Sequence, residues 1–422
     1  MTFGPNSVLI MFARSLRGNS LIEVYTKSMR IEDIQPQIVR LNADAWLLAD
    51  YENHNQTVKA LLGEKFLTRK IFLLIPKEGK PSIIAHVIDL AFLSGKDITF
   101  VFTLLPYKTW QEMLSTLEKA LVPYSHILMD ISENGLLPRV SFADYGTVDF
   151  VKKLGKEVTP SADILQRFSA VMTPWQLESQ KDACHKALRI KDEAFAKIGK
   201  DVKEKGQSDE YEIQQFIAKR FREEGMVFDE DPIVAIGTNA NNPHYGPTKD
   251  VSSPIKEGDL VLIDMWAKNK EKGSVYADIT WMGYVGSRVP DLYKERFDIV
   301  KKARNSAINF LKEELPNRVV HGYEVDDVAR KVITDAGYGD SFIHRLGHSI
   351  TDDVSCHGAG ANLDNFESHD FRELMDGTSF SDEPGIYAED FGMRSETDLH
   401  IENRRVLVLG GLQEEIIPIL KD

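Results

Sequence analysis

The chain has 422 residues, 42% of them hydrophobic and 27% charged, with a formal net charge of −14. That length suits two or three domains of ordinary soluble composition. The acidic balance excludes a broad basic face for nucleic acid, and no apolar run approaches the ~18 residues of a membrane span. The only cysteines, Cys184 and Cys356, cannot form a disulfide framework, which suits a reducing, cytoplasmic compartment.

Residues 1–28 read as a tail or a misplaced start. Their best apolar stretch, Val8 to Ala13, is cut off by Arg14 and lacks the flanks of a secretory signal. Residues 29–168 alternate short apolar runs with segments of helical spacing. Ala45-Trp46-Leu47-Leu48, Ile71-Phe72-Leu73-Leu74-Ile75 and Ile98-Thr99-Phe100-Val101-Phe102 read as strands. Trp110, Met113, Leu114 and Leu117 read as one helix face. This is an α/β domain without a His/Asp/Glu cluster of ligand spacing. A boundary falls near Met172, with Thr173 as a helix cap and Pro174 in the first turn. Residues 169–422 form the second domain. Helices are predicted over 176–198, after Ser208, over 292–315 and over 325–336.

Chemistry begins after Val234. His244 lies in a Pro/Gly-framed loop, 242–247. A strand then ends its apolar run at Asp264, which shares a face with Leu260 and Leu262 by the period of two. After a charged turn a second strand carries Asp278, so one hairpin bears an aspartate on each arm, 14 residues apart. The device recurs downstream. Glu383 and Glu396 are 13 residues apart about a predicted 390–392 turn. Between the hairpins lies the step Gly347-His348. Four carboxylates and one imidazole make a donor set for two divalent ions, and burying those carboxylates without cations would force them to protonate.

The segments Asp264…Asp278-Ile279-Thr280, Gly347-His348, Glu383-Pro384-Gly385-Ile386-Tyr387 and Gly392-Met393-Arg394-Ser395-Glu396 occur in one order. In that order they resemble the pita-bread metallopeptidases: creatinase, prolidase, Xaa-Pro aminopeptidase and methionine aminopeptidase. The resemblance spans about 174–410, and the α/β first domain is similar to that of the creatinase and prolidase members, which favours the Xaa-Pro branch. It implies an α+β chain with a C-terminal pita-bread domain and a smaller α/β first domain. It further implies two divalent ions, Mn²⁺ foremost with Co²⁺ or Zn²⁺ possible, held by Asp264, Asp278, His348, Glu383 and Glu396. Glu383 matches the general base and His244 the histidine that steadies the leaving amide. Short proline-containing peptides with a free amino end are the implied substrates and a homodimer the implied assembly, with neither nucleic acid nor membrane as a partner.

Two departures stand out. The family's Asp-to-Asp spacing is shorter, so 268–274 reads as an inserted turn. The family's second histidine comes seven residues after the ligand histidine and precedes Glu and Pro. Here His357 comes nine residues after His348 and precedes Gly358. Its implied role is a donor to the scissile carbonyl oxygen. His344 and Arg394 read as supporting residues, Arg394 as the partner of a carboxylate, while Tyr387 and Trp281 read as core. A cation for a dipeptide's carboxylate falls near His369, with Arg372 three residues on, which leaves dipeptidase and aminopeptidase both open. A non-prolyl enzyme on the same fold and a non-catalytic binding protein are the alternatives.

Overall fold

In the computed structural model, residues 30–63 and 65–420 are described, and the expected tail lies outside them. The chain divides into two compact units, one ending at Ser169 and the other running from Ala170.

The first unit is built on a six-stranded sheet in the order Thr103–Tyr107, Ser82–His86, Ile71–Pro76, Ala45–Asp50, His126–Met129, Glu157–Pro160. The sheet is mixed: Ala45–Asp50 pairs antiparallel with Ile71–Pro76 and parallel with His126–Met129. Its central strands read as unbroken apolar runs because both faces are covered. Trp46, Leu48, Leu73 and Ile75 enter one core, while Leu47, Ala49, Phe72 and Leu74 enter the other.

One expected strand is absent. Lys96–Val101 is helical and the strand begins only at Thr103. Ile98 and Phe102 are both buried while Phe100 is 68% exposed, a spacing of four that suits one turn of helix rather than a strand. The β-branched and aromatic composition of 98–102 concealed that period.

The second unit repeats one plan, a helix pair followed by a hairpin. The first pair is Pro174–Lys205 and Glu210–Glu223, and the second is Asp291–Glu314 and Gly322–Asp335. Thr173 opens the long helix with a capping box, accepting from the Gln176 amide and donating its own amide to the Gln176 side chain. In the first hairpin Leu260–Asn269 runs antiparallel to Ala277–Tyr284, with Asp264 opposite Thr280 and Trp266 opposite Asp278. One face of this hairpin, with Val261, Ile263, Met265 and Ile279, packs in a core with Ala187, Ile190 and Ile217 of the first helix pair. Leu260, Leu262 and Met282, on the other face, join the core containing the second pair. Asp264, Asp278 and Thr280 continue that same face beyond the apolar end.

The second hairpin is interrupted. Ser379–Asp382 pairs with Thr397–Glu402, and Gly385–Ala388 pairs with Phe391–Arg394. The tip is the dipeptide Glu389-Asp390, so Phe391 and Gly392 belong to the strand and not to the expected turn. Glu383 and Glu396 sit at the break between the two ladders. Among the described residues no helix is long and apolar enough to cross a membrane.

Candidate active site

The break in the second hairpin sets the site. Leaving the ladder frees Glu383 and Glu396 from strand alternation, so both carboxylates turn toward the first hairpin. Backbone bonds hold the junction: the Glu383 amide donates to the Leu346 carbonyl at 2.9 Å and the Glu396 amide to the Thr280 carbonyl at 3.2 Å.

His348 stands at the centre. Its Nδ1 lies 3.1 Å from the Ser349 carbonyl, which assigns the proton to Nδ1 and leaves Nε2 as the lone-pair atom. Nε2 is 3.4 Å from Asp278 Oδ2 and 3.6 Å from Glu383 Oε1. Donor atoms of Asp278, His348 and Glu396 lie within 4.8 Å of one another, and all three residues are buried. Asp264 is tied to Glu396 through Arg394, whose guanidinium contacts Asp264 Oδ2 and lies 4.0 Å from Glu396 Oε2.

The step before His348 must be glycine for a steric reason. A Cβ on Gly347 would stand 1.9 Å from the Ser381 carbonyl oxygen. The close approach lets the His348 amide reach Ser381 Oγ at 2.9 Å, and that hydroxyl donates to Glu383 Oε1 at 3.0 Å. Gly347→Ala is therefore expected to cost at least the about 1–3 kcal/mol typical of overpacking. Thermal unfolding should show the loss, and calorimetry should show weakened metal uptake; an unchanged melting temperature would refute the steric account.

Burial dominates the electrostatics. It pushes Asp264, Asp278 and Glu396 above the ordinary carboxylate range, and Glu383 up to about 7. Like charge adds to the rise at Asp278, where Glu396 and Asp264 face it. Arg394 pulls the other way on Asp264, yet one guanidinium does not offset the desolvation. Such a set suits hard divalent cations, which offset the repulsion and occupy the remaining lone pairs. Asp264 Oδ1 supports that fit: it is buried and has no hydrogen-bond partner among the described residues.

The remaining expected residues lie around this core. The ring of His357 is 4.1 Å from that of His348 and is exposed. His244 is exposed on its loop, near enough for its charge to act on Asp264. That loop is held to the second hairpin by Asn241, which donates to the Glu389 carbonyl at 3.0 Å. Near Gly392 the loop approaches so closely that a Cβ there would meet the Ala240 carbonyl oxygen at 1.8 Å. Arg372 is fully buried, paired with Asp370 at 2.6 Å and donating to the Ala359 carbonyl, so its guanidinium is engaged inside the protein. His369 binds Asn365 and lies 4.4 Å from the Tyr323 ring.

Thr280 and Asp398, which the sequence did not single out, and Tyr387, which read as core, all support the site. Thr280 accepts from Arg394 Nε at 2.9 Å and donates to Glu396 Oε2 at 2.6 Å. Tyr387 accepts from Arg394 at 2.8 Å and lies 2.9 Å from His344 Nε2. Burial and the nearby arginines push His344 down to about 3, so it is a neutral hydrogen-bonding partner at physiological pH. Asp398 accepts from the Asp278 amide at 3.1 Å and from the Cys184 thiol at 3.1 Å. It thereby pins the Asp278 backbone to the long helix. The period of two around Glu396 would have placed Asp398 inward, while Arg394, two residues before Glu396, pairs with a carboxylate as expected.

A fold of paired helices and hairpins, with a cation-demanding carboxylate cluster between the hairpins, defines a metallohydrolase. Residues 182–403 match the model of metallopeptidase family M24, and the chain belongs to that family. Its second unit has the family's pita-bread fold, within an α+β chain as expected. The chain is 29% identical over 298 residues to an Xaa-Pro dipeptidase of Lactobacillus delbrueckii subsp. lactis, covering 68% of this chain and 71% of the relative. It is 31% identical over 240 residues to an Xaa-Pro dipeptidase of Lactobacillus helveticus, covering 56% and 58%. Among solved structures, dipeptidase PepE of Mycobacterium ulcerans superposes with a TM-score of 0.58 at 19% identity, covering 95% of this chain and 100% of that one. The X-Pro aminopeptidase of Thermotoga maritima MSB8 gives 0.52 at 22% identity, covering 92% and 99%.

Proposed function

We propose that this metallopeptidase is an exopeptidase that hydrolyses the Xaa-Pro bond of dipeptides or short peptides with a free amino end. The observation that carries the reading is the convergence of two carboxylate-bearing hairpins on His348 in an M24 fold. Its relatives named as Xaa-Pro dipeptidases support the proline preference. Asp264, Asp278, His348, Glu383 and Glu396 would hold two divalent ions, Mn²⁺ or Co²⁺ before Zn²⁺ because oxygen donors dominate. Bound there, the ions supply Lewis acidity and a water of lowered pKa.

The protein's own groups do the rest. Glu383 takes the proton of the attacking water and returns it to the departing proline nitrogen. Its Oε1 is steadied for that exchange by Ser381 Oγ. His357, exposed beside His348, donates to the carbonyl oxygen as negative charge develops there. His244 supports the leaving amide from the rim. Arg394 fixes Asp264 from behind, and Thr280 orients Glu396. With Arg372 engaged by Asp370, that residue does not restrict the substrate to dipeptides, and the broader Xaa-Pro peptidase is the better description.

His244→Ala and His357→Ala are each expected to retain metal while turnover falls roughly tenfold to a thousandfold. Wild-type kinetics for His357→Ala would remove it from the reaction. The reading as a whole is tested on protein supplied with Mn²⁺, Co²⁺ or Zn²⁺ and offered Ala-Pro, Ala-Pro-Ala and Met-Ala-Ala. Cleavage of the first two is expected, and equal rates on Met-Ala-Ala would overturn the proline preference.

A further inference from the structure

The two departures from the family's spacing meet in space. The lengthened first arm continues to Asn269, pairing Lys268 and Asn269 with Val227 and Met226. Lys268 Nζ then donates to the carbonyls of Asp352 at 3.0 Å and Asp353 at 2.5 Å. Tyr276, just before the second arm, donates its hydroxyl to the Val354 carbonyl at 2.7 Å. The segment between His348 and His357 is thus braced by the first hairpin. Cys356 is turned inward, 6% exposed, in a small core with Val275, Tyr276 and Ile350.

The result is a second donor set. One donor atom each from His348, Cys356 and His357 lies within 4.8 Å of the others. A tetrahedral zinc ion, with Zn–N near 2.1 Å and Zn–S near 2.3 Å, spaces its ligands about 3.5 Å apart, so small side-chain rotations close the set. The chemistry differs from the carboxylate cluster: two imidazoles and a sulfur favour a soft, thiophilic cation over Mn²⁺.

We infer that His348, Cys356 and His357 form an inhibitory site for a thiophilic divalent cation, Zn²⁺ or Cd²⁺. Occupation forms a metal–sulfur bond as the Cys356 proton leaves to solvent. The consequence for activity rests on the function proposed above. His348 offers a single lone-pair nitrogen, so a cation bound through it here takes it from the carboxylate cluster. The same cation ties up His357. Excess thiophilic metal therefore inhibits even where a first equivalent activates.

The test reads the metal–sulfur bond directly and needs no peptidase activity. Metal-free protein is titrated with Cd²⁺ and followed by its ultraviolet sulfur-to-cadmium absorption. One equivalent of absorption is expected in the wild type and in Cys184→Ser, none in Cys356→Ser. His357→Ala should weaken Cd²⁺ by at least the roughly ten- to a hundredfold that loss of even an outer-shell partner costs. With Mn²⁺ present, Cys356→Ser should keep peptidase activity and resist Cd²⁺ inhibition. Absorption that persists in Cys356→Ser, or its absence from the wild type, overturns the site. Failure of the peptide assay with the absorption intact would overturn the proposed reaction instead.

Discussion

Glu383→Gln should leave a folded protein with almost no turnover, a loss of roughly a hundredfold to ten-thousandfold in kcat. The amide is nearly isosteric, so the Ser381 contact at 3.0 Å can persist. What disappears is the proton exchange and one anionic donor facing His348 at 3.6 Å. Steady-state kinetics and metal content, measured together, separate the two losses. Near-normal metal content with collapsed kcat is expected if Glu383 handles the proton. Retention of a tenth or more of the activity, well above the roughly one hundredth that the smallest such contribution leaves, would exclude it as the base.

Chelation should destabilise the protein, and more so as pH rises. In the metal-free fold, burial lifts Glu383 from its ordinary 4.5 to about 7 and lifts Asp278 and Glu396 as well. The folded state then binds more protons than the unfolded chain, so stability falls as pH climbs through that window. Glu383 alone accounts for a few kcal/mol, on the order of 3, between the two limits. Divalent ions reverse the sign by favouring the ionised carboxylates. The gap in melting temperature between metal-loaded and chelated protein is therefore expected to widen from about pH 5 to about pH 8. A gap that is constant or shrinks over that range would show that the cluster is not the source of the metal dependence.

The candidate donors stood out in the sequence because strands and hairpins leave a simple trace. Asp264 ends an alternating run, and Asp278 answers it across a turn, so their shared face follows from the period of two. The repeat of the device at Glu383 and Glu396, with Gly347-His348 between, supplied the remaining donors. The expected 390–392 turn lies one residue late because Asp390 and Gly392 carry turn signals, and only the ladder from Gly385–Arg394 to Ala388–Phe391 decides it. The segment 98–102 was misread because strand-like composition overrode a helical spacing visible only in which residues are buried.

By itself the sequence determined the candidate donors and their local placement: which side chains could ligate and which hairpin arm carries each. Such features depend on residues a few positions apart, where backbone periodicity alone fixes direction. Tertiary structure decided everything that joins distant segments. It set Arg394 against Asp264, 130 residues away, and Asp398 against the Asp278 amide, 120 residues away. It made Gly347 obligatory through the Ser381 carbonyl and carried Cys356 to His348 on a loop braced by Lys268 and Tyr276. Those contacts arise from packing two helix pairs against two hairpins, and packing leaves no period in the chain from which to read them.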